Sequence, residues 1–293
     1  MTQNAELVDL STCYPDGVPD GFPVELFVPT EGSSLVIRES KLRNKIDDLQ
    51  DFLITMPQVD TPVRNTFSGG VYARELFIPK GTMLIGKVHL TEHLNICLQG
   101  DLTFLTVDGP KRIKAPAMFS APAGTKKLAY ANEDSVWVNV HPAITDDPDQ
   151  IVDAITVNSF GDFDRLMSKA DLEFKVSVYG FTPERMHEIS VDESTLDAAP
   201  IDGVEVKDSA IHGHGLFATK DFAPREIICP ARKDDKRTLA GRYSNHSPTP
   251  NCNIECVDGE YALVALREIE AGEELTTDYG ETLAVIAQTK EFV

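Results

Sequence analysis

His89, His93 and His141, three of the seven histidines of this chain, fall on or beside short apolar runs and carry a metal-ligating nitrogen. An imidazole suits a first-row divalent ion. Two lysines, Lys87 and Lys127, stand among the same runs. An ammonium beside a divalent ion is repelled unless it loses its proton, so the lysines argue against a metal. Hydrogen-bonded structural histidines are the competing reading. A second set of reactive types lies further along, in three strings. The first is Ile211-His212-Gly213-His214-Gly215-Leu216-Phe217-Ala218. The second is Arg242-Tyr243-Ser244-Asn245-His246-Ser247-Pro248-Thr249-Pro250-Asn251. The third runs from Ala265 through Glu273-Glu274-Leu275-Thr276-Thr277 to Asp278-Tyr279-Gly280. Each is weak alone, because glycine turns are common and a lone Asn-His-Ser has no fixed chemistry.

The histidine segment reads Gly81-x5-Lys87-x-His89-x3-His93-x6-Gly100. This resembles the first motif of the cupin family, G-x5-H-x-H-x3-E-x6-G. Pro122-Ala123-Gly124-Thr125-Lys126-Lys127 resembles the second, P-x-G-x2-H. In that family the ligands point into a small barrel, and the period-two alternation of a strand puts H-x-H on one face. Here Lys87 takes the place of the first His, His93 that of the Glu and Lys127 that of the second-motif His. The resemblance implies the fold, with a metal in the barrel not expected. A site built from His89, His93 and His141 is the alternative.

The three later strings, in order, resemble the SET family of lysine methyltransferases: G-x-G-L-F-A, then R-F/Y-x-N-H-S-x-x-P-N, then A-x-R-x-I-x-x-G-E-E-L-x-x-D-Y-G. The resemblance implies S-adenosylmethionine as cofactor, bound around His214, Gly215, Asn245, His246 and Tyr279. It also implies Tyr279 as the catalytic residue, with Arg242 and Asp278 holding two crossing segments. Several features depart from the family. Ile228-Cys229-Pro230-Ala231-Arg232 stands where an E-Y-x-G-E segment is usual, so a second tyrosine would have to be Tyr243 or Tyr261. Only 29 residues separate Gly215 from Asn245, and Pro248 replaces a cysteine. Donor-side parts are thus present and substrate-side parts reduced. Two functions fit. One is a protein-lysine N-methyltransferase with a docking or assembly barrel. The other is a non-catalytic structural or assembly protein, of virus or phage, using both folds as binding modules.

The elements that must position these residues follow from patterning. Residues 1–33 read as an irregular arm. Residues 34–56 show helical spacing from Leu42 onward, ended by Pro57. Between 72 and 142, short apolar runs separated by Gly, Pro and Asp-Gly suggest a small antiparallel barrel or sandwich. Helical patterning returns over 146–186, with a short helix expected at 183–189 and an acidic linker at 191–200. Short strands resume over 204–279. The expected fold is mainly β. Residues 1–70 form an arm and helix, 71–145 a cupin-like β-barrel, 146–200 an acidic, partly helical connector, and 201–293 a minimal SET-like domain.

The chain carries 27 Lys+Arg against 47 Asp+Glu, a net charge of −20. Four basic and 13 acidic residues fall within 146–200. Such a surface repels duplex nucleic acid and attracts basic partners. A basic protein presenting a lysine is the expected substrate, and a homo-oligomer through the barrel is expected from the cupin resemblance. No apolar run reaches the roughly 18 residues of a membrane span. Residues 1–20 lack the basic and apolar regions of a signal peptide. Five scattered cysteines fit a reducing compartment, and Cys252-x3-Cys256 lacks the second ligand pair of a structural zinc. A cytoplasmic location is expected, or a host cytoplasm or virion for a viral protein.

Overall fold

The computed structural model describes residues 21–32, 35–178, 196–233 and 236–286, together with Tyr14, Gly17 and Thr182. The helix expected at 183–189, and Cys13, lie outside the described residues. The chain divides into two units, Met1–Phe160 and Gly161–Val293.

In the first unit, α1 (Leu35–Leu53) follows the expected helical spacing, and Ile46 on its apolar face is fully buried. Asp47, one residue on, accepts from the buried Lys126 ammonium at 2.6 Å and from the Phe160 amide at 3.2 Å. A desolvated lysine needs such a partner, and the pair ties α1 to the strands behind it. Next come β1 (Val63–Ser68), β2 (Val71–Ile78), β3 (Met83–Ile85), β4 (Val88–His89), β5 (His93–Gln99), β6 (Asp101–Thr106), β7 (Gly109–Lys114), β8 (Ala117–Ala121), β9 (Leu128–Ala131) and β10 (Ser135–Pro142). α2 (Pro148–Ile155) and the short β11 (Thr156–Val157) complete it. One sheet has the order β1-β2-β10-β5-β8 and a second β3-β9-β6-β7, while β11 pairs with β4. Ile78, Cys97 and Trp137 from the first sheet pack with Leu102, Phe104 and Ala129 from the second. The apolar runs of the sequence become β2–β6 and β8–β10. β1 and β7 escaped that reading because each is the outermost strand of its sheet and carries polar residues, as edge strands do. α2 starts where its sequence directs. The Asp147 carboxylate accepts from the amides of Asp149 and Gln150, and Pro148 opens the helix.

The second unit begins within α3 (Phe160–Val178). Its strands are β12 (Val204–Asp208), β13 (His214–Ala218), β14 (Ile227–Pro230), β15 (Arg232–Lys233), β16 (Lys236–Arg237), β17 (Asn245–His246), β18 (Cys252–Val257), β19 (Glu260–Ala265) and β20 (Glu274–Thr277). Two short helices are α4 (Leu239–Tyr243) and α5 (Tyr279–Ile286). One sheet has the order β12-β13-β20-β17 and another β14-β19-β18. β18 and β19 join through Asp258-Gly259, both at positive φ, the signature of a tight hairpin turn. Leu216, Phe222, Leu263, Ile269 and Leu275 form the fully buried centre of the core. Among the described residues, no helix is long and apolar enough to cross a membrane.

Gly100, the last residue of the cupin-like glycine frame, joins β5 to β6 at φ +87°. A Cβ there would lie 2.7 Å from Ser135 Cα and 2.5 Å from the Asp134 carbonyl oxygen. Backbone atoms cannot move aside cheaply. Gly100→Ala is therefore expected to destabilise the first unit by about 2 kcal/mol or more, read as a lower urea midpoint.

Candidate functional site

The second and third strings meet as a parallel pair. β17 lies beside β20, with Asn245 opposite Thr276 and His246 opposite Thr277. Parallel neighbours need a long crossover, here filled by the β18–β19 hairpin. Asn251, at the end of the second string, clasps the same strand. Its side chain accepts from the Thr276 amide at 2.8 Å and donates to the Glu274 carbonyl at 2.8 Å.

Asn245 binds the first string to this pair. Its buried side-chain amide lies 2.8 Å from Glu274 Oε1, 3.1 Å from the His214 carbonyl and 3.2 Å from the His212 carbonyl. Ser209 donates to the Glu274 carboxylate at 2.8 Å and accepts from the Ile211 amide at 2.9 Å. Burial raises the Glu274 carboxyl above its ordinary value, and the Asn245 and Ser209 hydrogen bonds counter it. Gly215 is required by this packing, because a Cβ there would meet Glu274 Cδ at 2.7 Å and Ser209 Cβ at 3.0 Å. The His214 ring is exposed and pairs with Asp208 at 3.0 Å.

His246 has both ring nitrogens engaged. Nδ1 accepts from the Tyr279 amide at 3.2 Å, so Nε2 carries the hydrogen and donates to Asp171 at 3.0 Å. Burial lowers its pKa, which keeps the ring neutral despite the opposing pull of Asp171. Lys175, one turn beyond Asp171 on α3, reaches Asp171 at 2.6 Å and Asp278 at 2.5 Å. Burial lowers the Lys175 pKa, but the two carboxylates more than offset this and raise it. For Asp278, burial pushes the carboxyl up, while Lys175 and the Gly280 amide bring it below its ordinary value. Asp171, His246 and Asp278 bring one ligand atom each within 4.8 Å. The Lys175 ammonium already supplies the cation there.

Tyr279 follows Asp278. Its hydroxyl donates to the Ser244 carbonyl at 3.0 Å, and its ring lies 5.3 Å from that of His246. Burial pushes the phenol up to about 12, with Arg237 and Arg242 pulling it down and Glu274 pushing it up. Arg242 Nη1 and Thr277 Oγ1 are buried without a hydrogen-bond partner. Tyr261 lines a cavity of about 30 Å³ with Arg237, Gly241 and Ile254. Tyr243 sits edge-on to His214 at 6.4 Å.

In the first unit, His89, His93 and His141 do come together. Their rings stack, with centroids 3.7 Å apart for His89–His93, 5.2 Å for His89–His141 and 5.1 Å for His93–His141. His93 Nδ1 donates to the Thr91 carbonyl at 3.2 Å, and its Nε2 accepts from Lys127 at 3.2 Å. Burial and the neighbouring cation lower His93 to about 4. His89 falls to about 2 and His141 to about 4, through burial first and then their charged neighbours. The His93 lone pair is given to an ammonium, and among the described residues these three histidines do not gather their ligand atoms as a metal-holding group does.

Residues 231–280 match the SET domain. The matched stretch holds Asn245, His246, Glu274, Asp278 and Tyr279, while His214, Gly215 and α3 lie before it. No curated protein matches the chain. Among solved structures, a cupin superfamily protein from Desulfitobacterium hafniense covers 30% of this chain and 82% of its own, at 11% identity and a TM-score of 0.26. A cupin-2 domain protein from Shewanella frigidimarina covers 32% and 91%, at 16% identity and a TM-score of 0.24. A cupin domain from Bordetella pertussis covers 30% and 97%, at 15% identity and a TM-score of 0.25. The string reading of the SET segment did not include Ser209, Asp171 or Lys175. Glu274 lay inside a quoted string without a role. Ser209 and the α3 pair carry no local signal, because tertiary packing alone brings them in.

The α3 contacts can be tested by acid. Asp278, held below its ordinary value, contributes stability above the unfolded Asp pKa of about 3.9, lost as pH falls through its folded value. Lys175→Met would leave Asp171 and Asp278 facing each other without their cation, and Asp278 would lose the ammonium that holds its carboxyl down. The acid-unfolding midpoint of the second unit is expected to move to higher pH, by about one unit, followed by circular dichroism.

Proposed function

We propose that the second unit is an S-adenosylmethionine-dependent protein-lysine N-methyltransferase. The observation that carries this reading is the Tyr279 phenol, held on the Ser244 carbonyl where the second and third strings pair inside a SET segment. The residues present suit the donor. Arg242 Nη1, buried without a partner, offers a cation to its carboxylate. Nothing lies within 4 Å of where a Cβ on Gly213 would stand, at φ +49°, so that side of the turn is open to a ligand. The Asn245 amide and the His246 ring nitrogens are already occupied in holding the frame.

When bound, S-adenosylmethionine supplies a methyl group on a sulfonium, which an amine takes by in-line displacement. Tyr279, pushed up to about 12, stays protonated at neutral pH and cannot serve as a base there. Its role is to orient the amine and stabilise the polarised methyl. Arg237 and Arg242 pull the phenol pKa down, and a neighbouring cation lowers an amine pKa in the same way. The incoming lysine thus loses its proton to water more readily than its solution value of about 10.4 allows. The net charge of −20 favours a basic protein as acceptor.

Tyr279→Phe keeps the ring and removes the hydroxyl. It is expected to lower methyl transfer by about 10²-fold while donor affinity changes little. The measurement is incorporation of radiolabelled methyl into a lysine-rich protein mixture. Equal incorporation by both forms would contradict the reading.

A further inference from the structure

Between the sheets of the first unit lies a cavity of about 290 Å³. Its walls include Leu76, Ile78, Phe104 and Trp137, and its polar lining includes Arg74, Lys87, Lys127, His89 and His141. None of the described acidic residues lines it, in a chain whose net charge is −20. The Lys127 ammonium has three donors, and His93 takes one at 3.2 Å. His141 is only 3% exposed, and its Nδ1 has no partner, nor has Nδ1 of His89. Buried polar atoms without partners cost stability and stand ready for a ligand that supplies them.

We infer that this cavity binds a small monocarboxylate with an apolar body, its anionic head between Lys127 and the histidines and its body against Trp137 and Phe104. A carboxylate accepts from the ammonium and from any imidazole turned to donate. The apolar walls and the volume suit a single ring or a short aliphatic chain. This site is independent of the methyltransferase reading, which concerns the other unit.

Affinity should depend on pH. Burial lowers free Lys127 to about 8. A bound carboxylate would raise it, so binding above that pH must take up a proton and weakens as pH rises. The other titratable groups facing the cavity from the packed elements are Tyr72 and Arg74 on β2, Lys87, His89 on β4, His93 on β5 and His141 on β10. The histidines are neutral across this range.

Trp137 is the only tryptophan of the chain and lines the cavity, so its fluorescence reads occupancy. The test titrates the full chain with benzoate and with benzamide, its uncharged counterpart. Benzoate is expected to give a saturable change at about pH 7, weakening by about tenfold by pH 9. Benzamide should bind at least about tenfold more weakly. Lys127→Met should lose that preference, and Lys127→Arg should keep it. If Lys127→Met fails to fold, the two ligands on the unaltered protein still decide the matter. No saturation with benzoate, equal affinity for benzamide, or affinity that does not change between pH 7 and 9 would overturn the inference.

Discussion

The side-chain amide of Asn245 on the Glu274 carboxylate is the contact on which the second unit is built. Glu274 is half-buried, and its partners are neutral donors, Asn245 and Ser209. A carboxylate in that setting depends on every hydrogen bond it has, and losing one to a charged group costs about 1.5–3 kcal/mol. The same amide reaches the carbonyls of His212 and His214. One side chain therefore fixes the glycine turn, the parallel pairing of β17 with β20, and through β20 the position of Asp278 and Tyr279. Gly215 follows from it, since the carboxylate occupies the space a Cβ would need.

A second layer surrounds this contact and comes from outside the SET match. Asp171 and Lys175 on α3 hold His246 and Asp278. The acidic segment before the SET strings thus acts as a scaffold for the site. It fixes the imidazole tautomer, and the imidazole in turn accepts the Tyr279 amide. The phenol is then constrained from both ends, at its backbone by His246 and at its hydroxyl by Ser244. Such pre-positioning is what a displacement reaction asks of a protein, because alignment lowers the barrier without chemistry from the side chains.

Much of this was legible in the sequence, for reasons that differ by element. β2 and β8 fall where the apolar runs place them, because a half-buried strand writes its pattern into its own residues. Asp258 and Gly259 both take positive φ at the hairpin turn, a conformation those residue types favour. β1 and β7 were not legible. They sit at sheet edges, and polar edge strands resemble loops. In the site, Tyr279, Asn245 and His246 stood out by their order along the chain, but the roles of Ser209, Asp171 and Lys175 depend on long-range packing that no local spacing encodes. The three histidines of the first unit show the opposite case. A site built from them was the alternative reading of the sequence, and the stacked, lysine-capped arrangement that brings them together depends on the burial of Lys127 beside His93.

The most direct measurement is calorimetric titration of the full chain with S-adenosylmethionine, repeated on Asn245→Ala. If the Asn245–Glu274 contact shapes a donor site, the unaltered chain binds one donor saturably. The substitution then weakens binding by about tenfold or more while circular dichroism shows the strands retained. Absence of binding at millimolar donor, or equal binding by the two forms, would contradict the account.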